Sequence, residues 1–351
     1  MKTAGIAQSK IPGRRKSSVN REAFDRLIEP FRREIKAHCY RMLGSANDAE
    51  DLVQETFVRA WRGLDRLEDR GAIRPWLYRI ATNACLTALT RRTESHRFLP
   101  DSQGPPADSM PDGRPYTEAA WLEPYPDLEL EGIPDGAAGP AARYELDESV
   151  RLAFIAAIHQ LPPRQRATLL LCDVLGWSSQ EVTLLLGGSI TSINSALQRA
   201  RFTLGKGYAE DKPNTSILRT ENERALLERY VQAWEQSDLD GFVSLLSKDA
   251  IYRMPPWPQW YRGRDPIRAF FQTAWKSYGS FHLIPTRANR QPAFAIYTCG
   301  KSEDTWRAHS IQVLELNRDS IASLTKFVPP LGPKMFASFG LSTALRQRND
   351  G

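Results

Sequence analysis

Apolar residues return every three to four positions through most of residues 21–207, lose that rhythm between 96 and 143, and alternate singly in short runs near the C-terminus. The first rhythm predicts helices and the last predicts strands. In "DAEDLVQETFVRAW", residues 48–61, Val53, Phe57, Ala60 and Trp61, continued by Leu64, fall on one side of a helix. That side is core. Asp51, Glu55, Val58 and Arg62, with Gln54 beside them, form a polar ridge along another side. Spacing alone favours solvated surface over a docking face for this ridge.

Farther along, "SSQEVTLLLGGSITSINSALQRARFTL" predicts a helix capped by Ser178 or Ser179 that buries Val182, Leu185 and Leu186 and breaks at Gly187 and Gly188. Ser189 then caps a second helix that buries Ile193, Leu197 and Ala200. This is helix-turn-helix grammar. The second helix would present Thr191, Asn194, Ser195, Gln198 and Arg199 to a major groove, with Arg201 adding charge. An ordinary antiparallel helix pair is the alternative. In "RGAIRPWLYRIATNACLTALTRR", Pro75 opens a helix carrying Trp76, Tyr78, Arg79 and Asn83 and ending at Arg91 and Arg92. Aromatics beside cations suit unstacked bases and their phosphates, although Trp and Tyr in such a helix also suit a core.

Composition changes the picture mainly through charge. The 351 residues, 41% hydrophobic and 25% charged, suffice for two or three soluble domains. Residues 1–92 hold 19 Lys and Arg against 11 Asp and Glu, whereas 93–143 hold 3 against 10. Residues 1–20 read as a flexible basic tail. The Pro-, Gly- and Asp-rich strap over 96–143 reads as an acidic linker, more a solvated spacer than an acidic mimic of nucleic acid. No apolar run reaches bilayer length and the start lacks a signal-peptide core, so a membrane partner is not expected. Cys39, Cys85, Cys172 and Cys299 are scattered and read as reduced thiols of a cytoplasmic protein with no metal site and no cofactor.

The order of "DAEDLVQETFVRAW", "RPWLYRIATNACL", a strap, "LPPRQRATLLLCDVLGWSSQEV" and the helix-turn-helix resembles the sigma-70 family, specifically the extracytoplasmic-function (ECF) sigma factors. The resemblance spans residues 21 to about 207 and implies two all-α modules: region 2 over 21–95 and region 4 over 144–207. It also implies binding to core RNA polymerase, with Asp51, Gln54 and Glu55 docking on the β′ clamp helices and further contact to the β subunit. Leu67, Trp76, Tyr78, Arg79, Asn83, Arg91 and Arg92 would hold the melted minus-ten element of promoter DNA, Asn83 touching a flipped-out base. Thr191, Asn194, Ser195, Gln198, Arg199 and Arg201 would read the minus-thirty-five element. Asn194 replaces an Arg found in some relatives and Thr87 replaces a common acid, which leaves the promoter sequence and any anti-sigma factor open.

After a second linker over 208–221, residues 222–346 predict helices bearing Leu226, Leu227, Tyr230, Val231 and Trp234, then Phe242 and Leu245. Next come "WYRGRDPIRAFF" and strands such as "FAIYTCG" and "HSIQVLEL", an α+β order. This order resembles the SnoaL-like, ketosteroid-isomerase-like cone that follows some ECF sigma factors. Such a cone encloses an apolar pocket, for which Tyr252, Trp257, Trp260, His282, Trp306 and His309 are candidate lining residues around a small-molecule ligand. No carboxylate sits in a catalytic context, so the reading is a non-enzymatic sigma factor modulated by its C-terminal domain. A one-component DNA-binding regulator with a sensing cone, or a sigma factor fused to a small-molecule enzyme, are the alternatives.

Overall fold

The computed structural model describes residues 21–67, 69–91, 96–117, 120–133, 147–207, 221–300 and 304–346. The basic tail, Arg92 and most of the second linker lie outside the described residues. Helices α1 (Arg21–Ile28), α2 (Arg32–Leu43), α3 (Ala46–Gly63) and α4 (Ile73–Arg91) make the first module. Gly44 ends α2 in the left-handed region at φ 67°, and Ser45 then caps α3 by accepting from Asp48 N at 3.1 Å. Val53, Phe57 and Ala60 enter the core with Ile35, Tyr40, Leu77 and Cys85. Trp61 does not: it stays 41% exposed, resting its edge on Phe24, because helical drift carries it off the buried stripe.

The second module contains α5 (Leu152–His159), α6 (Pro163–Leu169) with a π turn over Leu170–Val174, α7 (Ser179–Leu186) and α8 (Ile190–Gly207). Ser178 and Glu181 form a reciprocal capping box on α7. Gly187 and Gly188 take φ of 72° and 101°, which breaks the chain before Ser189 Oγ accepts from Ser192 N at 3.1 Å. Val182, Leu185, Ile193, Leu197 and Ala200 are buried and Leu186 is half-buried.

The third module packs α9 (Glu221–Glu235), α10 (Leu239–Ser244) and α11 (Arg264–Ala274) on a seven-stranded sheet of β1 (Leu246–Arg253), β2 (Trp260–Arg262), β3 (Ser280–Ala288), β4 (Gln291–Cys299), β5 (Thr305–Asn317), β6 (Ser320–Phe327) and β7 (Ala344–Arg346). The order is β2-β1-β6-β5-β4-β3, with β7 on β5; only β1 and β6 run parallel. α12 (Leu331–Met335) follows β6. One face of the sheet closes over aromatic residues from α9 and α11. The other face, through Ala293, Ala295, Ile311 and Val313, belongs to the same hydrophobic core as the two helical modules.

Among its described residues the strap has no long helix or strand, as its Pro and Gly content dictates, but they are packed on the modules and not a solvated spacer. Trp121, Leu122 and Tyr125 are buried, and different stretches of the strap tie to different modules. Glu123 Oε2 accepts from Ser45 Oγ at 2.8 Å and Ala46 N at 3.0 Å at the start of α3. Its first third runs along "MPPWPQWY": Trp260 Nε1 donates to Gly104 O at 2.9 Å, Tyr261 OH to Ser109 O at 2.9 Å, and Arg253 pairs with Asp101 at 2.5 Å. Alternate apolar side chains and the free polar backbone of an extended segment satisfy both partners at once, something periodicity does not reveal.

Two contacts close the molecule. Arg166 of α6 is fully buried and donates to Met42 O of α2 at 2.5 Å, to Ile158 O and His159 O at 3.1 Å, and to Leu161 O at 3.3 Å. Burial among carbonyls lowers its pKa to about 9. The second contact is the β3–β4 hairpin tip, where Asn289 and Arg290 both take left-handed φ, 57° and 59°. Asn289 Nδ2 donates to Tyr40 OH at 2.8 Å and Val150 O at 2.7 Å, while its Oδ1 accepts from Tyr125 N at 2.9 Å. One side chain thus joins the first module, the strap and the entry to the second module. Beside it, Gln291 Oε1 accepts from Leu152 N at 3.0 Å, and Asp127 holds Arg287 and the backbone of Arg290.

Candidate functional site

The polar ridge lies open on α3. Asp51, Gln54 and Glu55 are exposed; Gln54 donates weakly to Glu50 at 3.5 Å and Glu55 pairs with Arg59 at 2.5 Å. Val58, 49% exposed, and Trp61 extend this ridge with apolar surface. An acidic stripe flanked by two uncovered large apolar side chains is more than a solvated face requires. Trp61 was hidden from sequence reasoning because its spacing placed it with the core.

The α4 candidates divide. Arg79, Asn83 and Arg91 are exposed along the helix, Leu67 is half-buried at its approach, and Trp76 is half-buried. A Cβ at Gly63 would lie 3.2 Å from the Trp76 ring, so the pair packs closely. Tyr78 is buried, its hydroxyl 3.4 Å from Glu34 and its ring edge-on to His38 and to Trp177 of the second module. In this conformation Tyr78 is core and cannot stack on a base. Burial also pushes its phenol up and the neighbouring His38 down to about 3.

On α8, Thr191, Asn194, Gln198 and Arg199 are exposed and Ser195 is half-exposed, opposite the buried Ile193, Leu197 and Ala200. Asn194 Oδ1 accepts from Ser179 Oγ at 2.5 Å, which links the two helices of the motif. Arg201 is held by Asp173 through Nη2 at 2.6 Å and Nε at 3.0 Å, a two-pronged pair that braces α8 and leaves Arg199 as the freer cation.

Family models for sigma-70 region 2, sigma-70 region 4 and a SnoaL-like domain match residues 27–94, 151–204 and 227–324. Over 336 residues the chain is 41% identical to the ECF RNA polymerase sigma factor SigG of Mycobacterium tuberculosis, covering 95% of this chain and 88% of SigG. This chain belongs to the ECF sigma factors of the sigma-70 family. A further relative, the ECF sigma factor SigE of Mycolicibacterium smegmatis, is 29% identical over 55% of this chain and 65% of its own. The crystal structure of the Mycobacterium tuberculosis sigma factor SigJ shares the fold, with a TM-score of 0.56 and 20% identity over 92% of this chain and all of that one.

In this sigma factor the open ridge belongs to region 2, the helix-turn-helix to region 4, and the cone to the SnoaL-like domain. The six pocket candidates of the cone are dispersed. Tyr252 packs against Tyr261, Phe270 and Phe271 in the interior. Trp260 meets the strap and Trp257 is half-buried near it. His282 pairs with Glu235 at 3.0 Å with Trp306 beside it, 5.6 Å between rings. His309 is buried, its Nε2 3.0 Å from Tyr278 OH. The described contacts do not gather the six on one wall, because strand alternation sends neighbours in sequence to opposite faces. A separate open groove of about 790 Å³ lies between α9 and β3, with Leu227, Val231, Pro285 and Phe294 among its walls. Among the described residues no helix is long and apolar enough to cross a membrane and no cluster could hold a metal ion.

Proposed function

We propose that this sigma factor docks on the β′ clamp helices of core RNA polymerase through Asp51, Gln54 and Glu55, assisted by Val58 and Trp61. Asn83, Arg79, Arg91 and Trp76 engage the melted minus-ten element, and Asn194, Ser195, Gln198, Thr191 and Arg199 read the minus-thirty-five element. The SnoaL-like domain governs when this happens by holding regions 2 and 4 together, and a small molecule bound to it sets the balance. The observation that carries this reading is Asn289, whose one side chain bonds region 2, the strap and the start of region 4. The ridge and the recognition helix are both uncovered in the closed form. What closure withholds is the separation of regions 2 and 4 and the buried ring of Tyr78.

Polymerase and promoter then select the opened conformer by binding it better, so the domain taxes initiation by the fraction of chain that stays closed. In vitro transcription with core polymerase tests this. A chain ended after Gly207 should initiate at lower concentration than the full chain on the same promoter. Equal activity across concentrations would remove the regulatory role, and loss of all activity on adding Arg199→Ala to the shortened chain would support the reading of the upstream element.

A further inference from the structure

Inside the SnoaL-like domain, Phe294 on β4, Gln312 on β5 and Lys326 on β6 are register partners in one row across the sheet. Helix α9 faces this row: the Tyr230 ring stacks on Phe294, and Tyr230 OH donates to Gln312 Oε1 at 2.7 Å. With Oε1 accepting from Tyr230, Gln312 Nε2 is left as a donor, buried and without an acceptor. Lys326 is 5% exposed, and its ammonium stands 4.6 Å from the centre of the Trp234 ring and 6.0 Å from that of Phe281.

No carboxylate among the described residues pairs with Lys326, and burial alone pushes its pKa down to about 7. A second nitrogen base lies close by. An irregularity in the β4–β5 register leaves His309 beside Ser310, both buried, and His309, bonded to Tyr278, is driven to about 3 by burial and then by Lys326. The Nε1 atom of Trp275 also lacks an acceptor. The interior therefore holds several buried donors, one of them cationic, within walls of aromatic carbon. A ring face attracts an ammonium but does not replace its lost water, and an unpaired buried amide donor is costly as well.

We propose that the aromatic-walled face of the sheet beneath α9 binds a small carboxylate with an apolar body, its two oxygens accepting from Lys326 Nζ and Gln312 Nε2. A carboxylate matches two adjacent donors and asks for little more. Phosphate would bring further charged oxygens to walls of Trp234, Phe281 and Trp275 that cannot serve them, and chloride would leave those walls without a partner. The proposal deepens the ligand reading of the domain given above and names its chemistry.

The test uses the full chain without polymerase or DNA. Acetate, benzoate and phenylacetate are titrated against tryptophan fluorescence, and Lys326 is followed by mass spectrometry for protection from reductive methylation. Phenylacetamide and chloride serve as the neutral and inorganic arms. At least one carboxylate should saturate the signal and protect Lys326, phenylacetamide should do neither, and Lys326→Met should weaken binding at least about tenfold, as loss of a charge-assisted bond does. Gln312→Glu keeps an acceptor for Tyr230 OH and supplies Lys326 with an internal carboxylate, so it should stay folded and lose binding. Binding by none of the three carboxylates, equal binding of phenylacetamide, saturation by chloride alone, or undiminished binding to Gln312→Glu would each overturn the site. None of these outcomes bears on whether the chain is closed, which is read separately through Asn289.

Discussion

Asn289→Ala should open this sigma factor. The substitution removes the side chain that bonds Tyr40 OH, Val150 O and Tyr125 N, all in buried surroundings. Leaving a buried polar group unmatched costs about 1–3 kcal/mol, and the three are not additive because Tyr40 OH retains its bond to Glu123 O. Alanine is also strained at φ 57°, by roughly 1 kcal/mol. A loss of about 3 kcal/mol would lower the closed-to-open ratio by roughly a hundredfold. Small-angle scattering should show a larger radius of gyration, proteolysis should reach the strap, and half-maximal transcription should need less protein. Asn289→Gly separates the causes, since it loses the same bonds without backbone strain. A variant as compact and as protease-resistant as the natural chain would show that the hairpin tip does not hold the modules.

Reversing the charge of the ridge with Asp51→Lys and Glu55→Lys should weaken association with core polymerase by about 2 kcal/mol, more at low salt than at high. The fold should survive. Both side chains are exposed, and the lost Glu55–Arg59 pair, about half-exposed at both ends, contributes only about 0.3–0.5 kcal/mol. Circular dichroism melts should therefore coincide while biolayer binding to core polymerase falls. Unchanged binding would place the dock elsewhere on region 2, and a lowered melting temperature would make the variant uninformative about docking unless Asp51→Asn and Glu55→Gln reproduced the binding loss.

The elements that rest on local chemistry were legible in the sequence. Ser178 and Ser189 announce helix starts, and Gly187 with Gly188 announces the turn, because caps and left-handed residues act within one turn of themselves. The order of helices and strands in the cone was legible from the switch between helical and alternating apolar spacing. The closed arrangement was not. Asn289 reads as a turn residue, and nothing in "RANRQPA" tells that its amide reaches residues about 139 and 249 positions away. The strap was misread as spacer because Pro and Gly report only that regular structure is absent, not that an irregular chain is exposed. Tyr78 shows the limit from the other side. Its neighbours on α4 suggest a nucleic-acid face, yet its burial against Trp177 depends on a module more than ninety residues later.

Lys326 was missed for a related reason: a lysine in an alternating strand reads as a solvent-facing residue. Only the register with Gln312 and the position of Trp234 turn it inward. The pocket candidates chosen instead were aromatic or histidine side chains selected by type, and type does not fix the face.

The most direct test of the account is the distance between regions 2 and 4 in solution. Spin labels at exposed positions of α1 and α8, Asp25 and Thr203, would report it by pulsed dipolar spectroscopy on the free chain, on Asn289→Ala, and on the chain bound to core polymerase. The account predicts one short, narrow distribution for the free chain, a longer and broader one for the variant, and a single longer distance on polymerase. A free chain already broad, or a distance that does not change on binding polymerase, would contradict it.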